Sequence, residues 1–119
     1  MSTPRIVSLI ASATEIVHAL DMGEYQVGRS HECDYPAGVR RLPVCTRPWI
    51  DVDANAKEID RQVKARVARA ESIYELHEDI LALLRPTHIL TQTQCAVCAV
   101  SRQDVERAMA GRFLGEPLV

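Results

Sequence analysis

Aromatic side chains are scarce in this sequence, at 4% of 119 residues, with one tryptophan and one phenylalanine. A core must therefore come from Leu, Ile, Val and Ala, which favours layered helices and strands over a small aromatic-rich barrel. An excess of one charge is also lacking. The formal net charge is -2, which gives no reason to expect nucleic acid as a partner. No apolar run is long enough to span a membrane. The opening "MSTPRIVSLIASATEIV" has no basic start followed by a long apolar stretch, so a cytoplasmic location is expected. Also missing are a G-x-x-x-x-G-K phosphate loop, a G-x-G-x-x-G fingerprint and a Ser-His-Asp order. The expected role is accordingly non-enzymatic.

What is present suits one ordinary globular domain over residues 1–119, with 47% hydrophobic and 25% charged residues. "RIVSLI" reads as a short strand, followed at once by Ser12 and Glu15 in the spacing of a capping box. The helix they open carries Ile16, Val17, Ala19 and Leu20 on one side and stops near Gly23, placed as a left-handed cap. "YQVGRS" reads as a second strand, which makes a βαβ unit with a parallel pair.

Ser30 to Asp53 reads as one long irregular loop with three prolines, and a loop of that length in a small domain is usually functional. A surface helix is expected from Ala54 to Ala70. A second helix, opened by a Ser72-to-Glu75 capping box, places Ile73, Leu76, Ile80, Leu83 and Leu84 on one face and ends before Arg85-Pro86. "THILTQ" is a third strand, Ser101 with Asp104 starts a last helix with Val105, Ala108 and Met109 inward, and "EPLV" looks like the start of a fourth strand. The fold class is α/β, a parallel sheet with flanking helices, Rossmann-like in its organisation.

Ligands of open parallel sheets bind beyond the carboxyl ends of the strands. Three segments reach that edge: Ala11-Ser12, the run Ser30 to Tyr35, and Thr93 to Cys98. Of the four cysteines, Cys33, Cys45, Cys95 and Cys98, the last two form a C-x-x-C whose sulfurs can chelate one ion. Cys33 or His31 would complete a zinc or iron-sulfur set. A redox pair is a poorer fit, because Ser101, the helix N-cap, follows both cysteines. His18, His77 and His88 read as structural. Trp49 and Tyr35 offer flat apolar surface to a large ligand or pack the loop onto the sheet.

The stretch "RIVSLIASATEIVHALDMGEYQVGRSHECDYP", followed by "LPV" and "LLRPTHILTQ", resembles the N-terminal lobe of class III substrate-binding proteins. It is most similar to cobalamin-binding proteins associated with ABC transporters, periplasmic binding protein-like in fold. The resemblance implies the first of two α/β lobes that hold a corrinoid or iron chelate between them, with the second lobe outside this sequence. It implies ligand-facing positions at Ser12, Ser30, His31, Asp34, Tyr35 and the loop from Gln94 through Cys95 to Cys98. It also implies docking on a transporter subunit through acidic residues, for which Glu75, Glu78 and Asp79 are candidates. A second lobe or a second copy of the chain would complete the cleft. Cys33, the Cys95/Cys98 pair and the charged helix from Ala54 depart from the vitamin B12 importer pattern and are similar to a cytoplasmic branch. The leading expectation is thus a cobalamin-binding lobe. The alternative is a small metal or iron-sulfur protein using Cys33, Cys95 and Cys98.

Overall fold

A computed structural model describes residues 3–49, 53–68, 74–93, 100–109 and 118–119. The first strand, β1 (Ile6–Ser8), is fully buried, as two β-branched residues between neighbouring strands should be. It is the middle of a parallel sheet, flanked by β2 (Gln26–Arg29) and β5 (His88–Leu90). Val7 is level with Gly28 on one side and Ile89 on the other. Parallel bridges widen the sheet at both edges, Arg29 to Val44 and His88 to Leu118. Leu118 is held by hydrogen bonds from its N–H to the Thr87 carbonyl and from Ile89 N–H to its own carbonyl, at 2.9 and 2.7 Å. The chain's last residues therefore extend the sheet, as their sequence predicts.

Strand side chains alternate between faces, so Val7, Leu9 and Ile89 share one face. They form a single core with Cys45, Val100, Leu81 of α3 (Glu78–Leu84) and Val105 of α4 (Arg102–Met109). The other face lies under α1 (Ala11–Ala19), which turns Thr14 and Val17 inward. The architecture is α/β, as the sequence indicates, with helices flanking a parallel sheet. Among the described residues no helix is long and apolar enough to cross a membrane.

Several local expectations are corrected. The N-cap of α1 is Ile10, with no side-chain cap, and the Ser12–Glu15 capping box does not form. The helix begins before Ser12, which leaves both residues exposed within its first turns. Ile16 is 59% exposed, since a helix places the residue two positions beyond Thr14 about 200° round from it, and Leu20, 65% exposed, is the C-cap beyond the last turn. The left-handed residue after α1 is Asp21, at φ 58°. Gly23 is needed for another reason: a Cβ there would lie 2.4 Å from His18 Nδ1.

The larger correction concerns the long loop. Part of it is β3 (Thr46–Pro48), which pairs antiparallel with β4 (Tyr74–Leu76), where the sequence pattern predicts helix. Ser72 and Ile73 lie outside the described residues. Ladder bonds made across thirty residues outweigh a local capping signal, and the helix starts only after His77, whose N–H donates to the Cys45 carbonyl at 2.7 Å. In α3 the fully buried residue is Leu81, Ile80 and Leu84 of the expected face pack against the core, as does Leu76, and Leu83 is 81% exposed. Glu75 is ion-paired with Arg47 across the β3–β4 ladder.

Other readings hold. The charged helix α2 (Ala56–Ala68) has no fully buried residue and is capped by Asn55 Oδ1, which accepts from Glu58 N–H at 2.9 Å. Trp49 sits between the guanidinium groups of Arg47 and Arg66, 5.3 and 5.4 Å from its ring centre, and so ties α2 to β3. Ser101 and Asp104 form the expected reciprocal cap at the start of α4.

Candidate ligand-binding site

The carboxyl ends of the parallel strands meet the first residues of the antiparallel β3–β4 pair. Leu9 follows β1, the run Ser30 to Glu32 follows β2, Thr46 opens β3, Tyr74 opens β4, and Val100 lies beyond β5. These side chains line one notch. A wider, open hollow of about 400 Å³ lies at the same edge beside α1, bordered by Ala13, Ile16, Leu90, Thr91, Thr93 and Arg102.

His31 is the centre of the notch. Its backbone N–H donates to Thr46 Oγ1 at 3.1 Å, and its Nδ1 lies 2.9 Å from the same oxygen. Its ring packs on Tyr74 with centroids 5.6 Å apart, and its Nε2 lies 3.5 Å from Glu32 Oε1. Burial lowers the His31 pKa, with Arg29 and His77 acting in the same direction. Glu32 and the Thr46 carbonyl oppose it. The imidazole is thereby favoured neutral. Tyr74 donates its hydroxyl to Glu32, and burial together with that carboxylate pushes its pKa up to about 12.

Under the notch a buried polar layer fixes the loop that carries His31. Thr14 Oγ1 donates to Cys33 Sγ at 3.0 Å, Ser30 Oγ lies 3.3 Å from the same sulfur, and Gln26 Nε2 donates to Thr14 Oγ1 at 3.3 Å. Ser30 Oγ also accepts from Glu32 N–H at 3.2 Å, and Arg29 donates to the Cys33 carbonyl at 3.0 Å. This layer explains why two small hydroxyl residues and a glutamine sit where apolar packing would be ordinary.

Of the residues singled out from sequence, the structure brings Ser30 and His31 to the notch. Cys33 lies directly beneath it, fully buried. Ser12 stands on the exposed side of α1, and Asp34 and Tyr35 are exposed on the following loop, away from the notch lining. Gln94, Cys95 and Cys98 lie outside the described residues. Among the described residues no three His, Cys, Asp or Glu side chains are grouped to hold a metal ion. Cys33 and His31 point to different partners, the first toward α1 and the second toward β3. Cys45 is buried in the core with its pKa raised to about 11 by burial, the state of an inert thiol.

Sequence reasoning missed Thr46 and Tyr74, which reach the notch only through the β3–β4 pairing. It included Glu32 in the run Ser30 to Tyr35 without giving it a ligand role. The adjacency of His31 and Glu32 in "SHECDY" was the available signal.

No family model matches the chain, and no curated protein does. Among solved structures it is similar to the periplasmic heme-binding protein RhuT from Roseiflexus sp. RS-1 in apo form, at 32% identity and a TM-score of 0.35. That match covers 56% of this chain and 32% of the other, so the chain spans about a third of that protein's length.

Proposed function

We propose that the chain is a non-catalytic ligand-binding lobe that presents the carboxyl edge of its sheet to a corrinoid or a related metal chelate. The observation that carries this reading is the convergence of Ser30, His31, Glu32, Thr46 and Tyr74 from three strand ends on one notch. The notch has little enclosed volume, which suits the rim of a large flat ligand better than a small molecule sealed inside. The sequence resemblance to cobalamin-binding lobes points to the same edge. A second lobe, or a second copy of the chain, would cover the ligand's other side. If the lobe also docks on a transporter subunit, Glu75 of β4 and Glu78 and Asp79 in the first turn of α3 are the acidic residues to mutate.

The competing reading is a zinc or iron-sulfur protein using Cys33, Cys95 and Cys98. It requires the fully buried Cys33 sulfur, which already contacts Thr14 and Ser30, to meet the ion held by the other two. One experiment separates the two: metal and sulfide analysis of anaerobically purified protein, then gel filtration with cobalamin and an absorption spectrum of the protein peak. Metal-free protein that carries cobalamin with a shifted spectrum is expected. Stoichiometric metal lost on Cys95→Ser and Cys98→Ser substitution, with no cobalamin in the peak, would defeat the proposal.

A further inference from the structure

The contacts of His31 constrain where its proton resides. Thr46 is 1% exposed, and its hydroxyl oxygen already accepts the His31 backbone N–H. A buried hydroxyl proton needs an acceptor. Among the described residues the side-chain acceptor in reach is His31 Nδ1, at 2.9 Å. Nδ1 is then filled by the threonine O–H, and the neutral ring carries its own proton on Nε2. That nitrogen faces Glu32 Oε1 at 3.5 Å, too long for a good hydrogen bond. Both groups are reachable, with side-chain exposures of 25% and 46%. Glu32 is steadied from two sides, by the Tyr74 hydroxyl and by its own N–H on Ser30 Oγ.

A fixed donor next to a fixed acceptor complements a group that offers the reverse pair. We propose that His31 and Glu32 form a subsite for a primary carboxamide, with Nε2–H donating to the amide oxygen and Oε1 accepting from the amide nitrogen. This deepens the reading above and rests on it, since a corrin ring carries primary carboxamides around its rim. It also reverses the simplest role for His31. An imidazole with its outward nitrogen protonated reads the edge of the ligand and does not coordinate its metal. The same pair selects against a tetrapyrrole whose rim bears carboxylates, because Glu32 repels them and finds no donor.

Titrating the full chain with cobinamide, which has an amide rim, and with cobyrinic acid, which has a carboxylate rim, tests the subsite. Cobinamide should bind roughly ten- to a hundredfold more tightly, the range for hydrogen bonds to a charged group, and Glu32→Gln should abolish the preference. Nitrogen-15 NMR of the imidazole should show the Nε2–H tautomer in wild type and in Thr46→Ser. Equal binding of the two ligands, or an Nδ1–H tautomer in wild type, overturns the carboxamide subsite and leaves the lobe reading intact. Binding of neither ligand overturns the lobe reading, and the subsite falls with it.

Discussion

The two faces of the sheet are built from different materials. Toward α3 and α4 the strands present Val7, Leu9 and Ile89 to Leu81 and Val105, an interior built from apolar side chains. Toward α1 the buried residues include Ser8, Thr14, Gln26, Ser30 and Cys33, joined through hydroxyl, amide and thiol contacts. Among the described residues His18 Nε2 and Gln26 Oε1 are buried without a hydrogen bond, which costs stability. The apolar face thus supplies the stability of the fold, and the polar face trades some of it for directional control of the loop that bears His31.

Substitutions can break this comparison. The largest effect is expected for Leu81→Ala, a loss of about 2–5 kcal/mol in urea denaturation from a cavity beneath β1 and β5. Ligand affinity of the folded fraction should be unchanged. Thr14→Val should cost less, about 1–3 kcal/mol, by removing the partner of Cys33 and Gln26, yet should weaken ligand binding, while Thr14→Ser restores both. An effect of Thr14→Val on stability alone would erase the proposed division between the faces.

The smallest effect is a pH dependence. The folded-state pKa of His31 lies below its ordinary value of 6.5, so the unfolded chain takes up this proton first as pH falls. The stability this group contributes is therefore fully present above that value and is lost as pH falls through the lower folded one. Urea midpoints compared at about pH 7.5 and about pH 5.5 should fall further for wild type than for His31→Gln. Identical falls would show that His31 is not held neutral by the notch.

How much of this was legible follows from the range of the interactions. The βαβ opening, the surface helix α2 and the Ser101–Asp104 cap are set by neighbours in sequence and were readable there. The β3–β4 pair was not, because Thr46 meets Leu76 through a ladder that no local pattern encodes. Thr46 and Tyr74 were hidden with it, and they are what turn His31 from a loop histidine into an oriented donor. Ile16 and Leu20 misled for a related reason. Their apolar character implies burial, but the sheet contacts only the stripe through Thr14 and Val17.

The stacking of Trp49 between Arg47 and Arg66 has a spectroscopic consequence. It is the chain's single indole, so intrinsic fluorescence observes one corner of the molecule, the seam between α2 and β3. A fluorescence-detected transition that precedes the loss of far-ultraviolet ellipticity would record the peeling away of α2 while the sheet behind it stays intact.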